Sequence, residues 1–162
     1  MKSLCLVRHA KSSRDDPTLA DRDRPLDDRG RRDARRMGER LDKHGTRPDL
    51  MISSPARRAL DTAELIAGKL DYRSRNILVD ESLYAATPDQ VLAVIRALDD
   101  KVKCVMLVGH NPAFAELAGR LSDAIGGMPT CAVAEFAFDT RTWSDVGALA
   151  PTKATLRLPR EP

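Results

Sequence analysis

Short β-rich apolar runs alternate with helical patterns along this chain, and no other feature of it constrains the fold as tightly. The runs are LCLV at 4–7, LMIS at 50–53, ILV at 77–79, CVMLVG at 104–109, VAEFAF at 133–138 and ATLRL at 154–158. Residues with helical spacing separate the first four. Parallel neighbours in a sheet need crossover connections, so this alternation predicts an α/β fold: a three-layer α/β/α sandwich around a mostly parallel sheet. Only a turn-like stretch, TRTWSDVG, lies between the last two runs. It predicts an antiparallel hairpin that adds an edge strand.

Four helices are expected. The first runs from about Arg31 to Lys43, with Met37 and Leu41 on its apolar side and Gly45 just past its end. The second follows Pro55, a residue suited to a first helical position, and carries Ala59, Ala63, Ile66 and Leu70. The third has Thr87 as N-cap and Pro88 after it, with Val91, Leu92, Ile95 and Leu98 on one side. The fourth follows Asn111 and Pro112 and carries Phe114, Leu117 and Leu121.

A chain of 162 residues fits one domain, 1–162, that buries roughly 70% of its unfolded surface. With 42% hydrophobic but only 4% aromatic residues, the core has to be aliphatic. The net charge of +3 comes from arginines interleaved with aspartates between Arg22 and Arg40. Mixed signs of this kind describe a solvated helix face with acid–base pairs, not a nucleic-acid surface. Cys5, Cys104 and Cys131 are odd in number and far apart, so reduced, buried thiols are expected in place of a disulfide framework. The opening KSLCLVRHAK turns charged within ten residues, and no stretch could span a bilayer. A cytoplasmic protein is expected, with no membrane partner.

In open α/β sheets ligands gather where strands give way to loops at their carboxyl ends. His9 ends the run LCLVRH and His110 ends VMLVGH, while His44 sits at the polar end of a helix. Arg8 precedes His9, and Ser54, Pro55 and Arg58 occupy the loop and first turn after another strand. Guanidinium groups gathered on one rim, beside a helix N-terminus, suit an anion with phosphate-like oxygens.

At these positions the sequence resembles the histidine phosphatases, whose signature is an Arg-His pair closing the first strand. The matching stretches are LVRHAKSS, RPLDDRG at 24–30, SSPARRALDTAE at 53–64 and VGHNP at 108–112. They occur in that family's order, and RHAKSS with RPL-xx-RG is similar to the small SixA-type phosphohistidine phosphatases. The resemblance implies His9 as nucleophile, Arg8 and Arg58 as phosphate-binding arginines and His110 as the second histidine, with Arg57 one place out of register. Ala10 and Lys11 stand where Gly-Glu is usual, adding positive charge at the rim and opposing a sugar-phosphate mutase. Asn111 offers either a polar group near the site or a helix cap.

The implied chemistry is phosphoryl transfer to neutral His9, with Arg8, Arg58 and His110 holding the phosphoryl oxygens and no metal or cofactor. Nearby positive charge should depress the pKa of His9 and keep it reactive. Water then hydrolyses the phosphohistidine intermediate. The family often keeps a general acid near the end of the third strand, which points to Glu81; a loop-capping role for Glu81 or Asp80 is the alternative. The implied substrate is a phosphorylated protein, such as a histidine-phosphotransfer domain, because a chain this short has little room for insertions that would enclose a small phosphate ester. A metabolite phosphatase and a non-catalytic phospho-recognition module are the rival readings. Cysteine-phosphatase chemistry does not fit, since Lys11, His110 and Ala137, not Arg, stand six residues after the three cysteines. The DRDRP stretch at 21–25 superficially resembles an aspartyl-nucleophile motif but falls in a polar loop.

Overall fold

The computed structural model describes residues 1–160, so the last two positions of the expected 1–162 domain lie outside the described residues. Six strands among them form one sheet: β1 (Lys2–Arg8), β2 (Leu50–Ser53), β3 (Leu78–Val79), β4 (Cys104–Gly109), β5 (Val133–Phe138) and β6 (Lys153–Arg157). Their order is β3-β2-β4-β1-β5-β6. The first four strands run parallel, while β5 pairs antiparallel with both β1 and β6. The mixed α/β sandwich expected from the alternation is the observed one; the strand that runs against the other five is β5, and the edge strand β6 pairs antiparallel with it.

The helices are α1 (Asp28–Lys43), α2 (Arg57–Lys69), α3 (Pro88–Arg96) and α4 (Ala113–Leu121). Helix α1 begins ahead of the expected Arg31 because Asp27 caps it, its carboxylate accepting from the amide of Gly30 at 2.7 Å. Helix α2 begins past Pro55, which lies in the preceding turn where the Ser54 hydroxyl accepts from the amide of Ala56. Thr87 and Gln90 form a reciprocal capping box at the start of α3, with Pro88 at its first position. At α4 the Asn111 side chain accepts from the amide of Ala115, so Asn111 does brace the helix start.

Strand alternation divides the core into two layers. Leu4 and Leu6 of β1, with Val105 and Leu107 of β4, face α3 and α4, where Val91, Ile95, Phe114 and Leu117 cover them. Cys5 and Val7, with Met106 and Val108, face α1 and α2, where Met37, Leu41, Ala63 and Ile66 cover them. Each fully buried Leu or Ile stabilises the fold by roughly 2 kcal/mol relative to exposure. Trp143 is buried in the first layer, and its indole N–H donates to the carbonyl of Val102 at 2.8 Å. The acid–base pairs expected along α1 include Arg29 with Asp33 and Arg31 with Asp28. The three thiols are free, but Cys104, at the start of β4, is only half-buried, unlike Cys5 and Cys131. Among the described residues no helix is long and apolar enough to cross a membrane.

Candidate active site

Strand register builds the site. Arg8 is paired with Gly109 across β1 and β4, and Ser53 with Val108 across β2 and β4. His9, His110 and Ser54, one residue further on, therefore leave the sheet together at its carboxyl edge. Backbone bonds hold them there: His9 donates to the carbonyl of Gly109 at 3.0 Å, Cys131 donates to the carbonyl of His9 at 3.1 Å, and Ser54 donates to the carbonyl of Val108 at 2.9 Å. The segment after His9 is tied to α2, because the Ala10 amide donates to the Thr62 hydroxyl, which itself donates to the carbonyl of Arg58.

A cavity of about 410 Å³ opens at this edge, with Arg8, His9, Arg58 and His110 in its wall. The four residues expected there from separate motifs are thus brought together, and Lys11, Arg14, Arg24, Tyr84 and Asn111 join them. Arg58 is only 7% exposed, in the first turn of α2, while its neighbour Arg57 turns outward to pair with Asp61. Arg8 donates through Nη1 to the carbonyl of Met128 at 3.1 Å, and Asn111 donates to the same carbonyl at 2.9 Å. The Nε atoms of both Arg8 and Arg58 are buried with no hydrogen-bond partner. Buried, unpaired cationic donors are costly unless a partner completes them, and these two belong to residues of the cavity wall.

The two imidazoles are held through different nitrogens. Nδ1 of His9 lies 2.7 Å from the carbonyl of Ala10, an acceptor only, so Nδ1 carries the proton and Nε2 keeps the lone pair. Nε2 of His110 lies 2.7 Å from the Ser54 hydroxyl. Burial pushes His9 from 6.5 down to about 4, with the charges of Arg58, Arg8 and Arg24 adding to it and the Ala10 bond opposing. Burial likewise pushes His110 down to about 3, helped by His9 and Arg58. The arginines were expected to be the main cause; burial outweighs them because both rings sit beneath the rim, where the charged form loses hydration.

Glu81 does not reach the cavity. It begins a 3-10 turn (Glu81–Leu83) that points Leu83 into the core and Glu81 outward, where its carboxylate, 70% exposed, meets Arg22 at 2.8 Å. Asp80 caps that turn, accepting from the amide of Ser82. The carboxylate in the cavity wall is Asp21, in the DRDRP loop set aside because it lies outside any strand end. Its Oδ2 accepts from the Tyr84 hydroxyl at 2.6 Å and from Arg58 at 2.9 Å. The Tyr84 bond, with Arg58 and Arg24, holds Asp21 far below the usual carboxylate range despite opposing desolvation. A carboxylate so strongly ionised has no proton to give. The signal available in the sequence was the run of acids and arginines just before RPL, in a segment short enough to fold back over β1.

Comparisons with known proteins bear on the family and the fold. The profile of the histidine phosphatase superfamily (branch 1) matches residues 4–86. An uncharacterized chloroplastic protein of Arabidopsis thaliana is 32% identical over 157 residues, covering 92% of this chain and 72% of that one. The Agrobacterium tumefaciens protein assigned as the phosphohistidine phosphatase SixA is 29% identical, with a TM-score of 0.77 over 83% of this chain and 90% of that one. The protein histidine phosphatase SixA complexed with tungstate shares the fold, with a TM-score of 0.82 at 24% identity over 97% of each chain.

Proposed function

We propose, from the premise that this chain belongs to the histidine phosphatase superfamily (branch 1), that it removes phosphoryl groups from phosphohistidine on proteins through a covalent intermediate on His9. The observation that carries the reading is one imidazole with Nδ1 committed to the Ala10 carbonyl, set in the same cavity wall as two guanidiniums whose buried Nε donors lack partners. The lone pair on Nε2 of His9 forms the new P–N bond as the bond to the leaving group breaks. Arg8, Arg58 and His110 hold the non-bridging oxygens, over which the charge of the transition state is spread. Water then attacks phosphorus, His9 regains its lone pair and inorganic phosphate departs.

A phosphohistidine leaving group suits a site whose two carboxylate candidates are poorly placed to give a proton. Its imidazole can leave neutral when the other ring nitrogen already bears a proton, whereas an alkoxide needs an acid. Glu81 is turned away and Asp21 is ionised, so neither supplies one. Resemblance to the Agrobacterium SixA supports the same substrate class. The proposed chemistry uses no metal ion, and three free thiols suit a reducing compartment such as the cytoplasm.

Rapid quenching after mixing with a ³²P-labelled phosphohistidine protein tests the mechanism. An acid-labile label on wild-type protein, absent from His9→Ala, is the expected result; full turnover by His9→Ala would refute it. A panel of phosphohistidine protein, phosphoserine peptide and sugar phosphates, run with and without a chelator, tests substrate and metal independence. Strong preference for sugar phosphates would overturn the substrate assignment.

A further inference from the structure

Asp21 meets Arg58 through two of its own acceptors. Its main-chain carbonyl accepts from Nη1 at 2.7 Å and its carboxylate from Nη2 at 2.9 Å, so both terminal nitrogens of the guanidinium end on one residue. The carboxylate is itself held from two further sides, by the Tyr84 hydroxyl at 2.6 Å and by Nε of Arg24 at 3.2 Å. Arg24 extends the brace to the Ser12 hydroxyl at 2.8 Å, in the segment that follows His9.

A guanidinium offers an anion two edges: the end, with both Nη atoms, and the side, with Nε and one Nη. Asp21 occupies the end edge. The side edge is left, and its Nε is buried without a partner. An arginine free to turn about its last torsions loses conformational entropy when it grips a ligand; one fixed beforehand loses less. Proton transfer is a poor role for Asp21, since both carboxylate oxygens already accept bonds from cations or a hydroxyl. The arrangement is a clamp.

We propose that Asp21 is a positioning residue that grips the end of Arg58 and fixes its guanidinium in the cavity wall for the phosphoryl oxygens, an assignment that rests on the phosphatase reading above. The residue itself touches no reacting atom. It acts through Arg58, with Tyr84 and Arg24 keeping its carboxylate in line.

The test is a double-mutant cycle on the full chain, using Asp21→Ala, Arg58→Ala and the pair, with p-nitrophenyl phosphate for kcat/KM and inorganic phosphate as competitive ligand. Asp21→Ala should lower kcat/KM about thirtyfold and weaken phosphate binding about tenfold, because a misaligned donor loses much of what a deleted one loses. Asp21→Asn keeps a side-chain acceptor and should recover activity to within about fivefold of wild type. In the Arg58→Ala background the Asp21 change should cost less than about twofold more, since the two act as one unit. Full multiplication of the two effects, or unchanged phosphate affinity in Asp21→Ala, would overturn the proposal. Should Asp21→Ala fail to fold, Asp21→Ser, which removes the carboxylate but keeps a short polar side chain, decides between the same two outcomes in both backgrounds. If wild-type protein binds phosphate but hydrolyses neither ester nor phosphohistidine, the phosphatase reading fails while the cycle on phosphate affinity still decides the clamp.

Discussion

The rings of His9 and His110 stand 5.2 Å apart, centroid to centroid, tilted by 56°. Two imidazoles this close, under two arginines, cannot both carry a proton cheaply, and they titrate as a pair. The burial that depresses both rings also keeps a lone pair available on His9.

Acid should destabilise the fold through these rings. Both fall from 6.5 in the unfolded chain, His9 to about 4 and His110 to about 3 in the folded one, so the unfolded state binds more protons in between. Stability is complete above about pH 6.5 and is lost as pH falls toward 3. Thermal melts from pH 7 to 4 should show the midpoint falling, and the double change His9→Asn/His110→Asn should flatten that slope. An unchanged slope would mean that other groups carry the acid sensitivity. The lowered pKa of Asp21 acts elsewhere, giving stability present above its unfolded value of 3.8 and lost as pH falls below it.

Ser54→Ala should lower kcat/KM about tenfold with little loss of stability, since the hydroxyl fixes one nitrogen of His110 by a single bond of 2.7 Å. The hydroxyl also braces the amide of Ala56, so a melt is needed beside the kinetics. Activity unchanged within twofold would mean that packing alone orients His110.

Glu81→Gln should leave turnover within about twofold on phosphohistidine and on p-nitrophenyl phosphate alike, because the residue's only side-chain partner among the described residues is Arg22, at an exposed ion pair worth about 0.5 kcal/mol. A drop of tenfold or more on the ester alone would restore Glu81 as a proton donor.

The sheet and the positions of Arg8, His9, Arg58 and His110 were legible because they follow from periodicity and strand ends. Leu4 and Leu6 face one helix layer while Cys5 and Val7 face the other, and the strand then delivers Arg8 and His9 to the edge. What was not legible depends on loops folding back. Asp21 and Tyr84 are 63 residues apart in sequence, and nothing in the local pattern says their side chains meet. The outward placement of Glu81 was not legible for the same reason: distance from a strand end does not fix which way a 3-10 turn points its first residue. The RPL-xx-RG stretch was a pattern without a cause until the packing showed that Leu26 is buried, that Asp27 caps α1 and that Gly30 lies under Lys11.

Gly30→Ala should be among the most damaging substitutions outside the cavity. A Cβ there would stand 2.0 Å from the carbonyl oxygen of Lys11, which already accepts from the amide of Asp27 at 3.1 Å. Backbone, not a flexible side chain, is what it meets, so either α1 or the segment after His9 has to move. The helix propensity gained from alanine, about 1 kcal/mol, is too small to offset an overlap of that size. Expected outcomes are a loss of about 2–3 kcal/mol in denaturant unfolding and a fall in kcat/KM larger than the stability loss predicts, because Lys11 lies two residues from the nucleophile. Gly68, on the outer side of α2 with nothing within 4 Å, is the control. Gly68→Ala should be stabilising by up to about 1 kcal/mol and kinetically silent. If the two substitutions behave alike, close approach at Gly30 is not what its position in the motif requires.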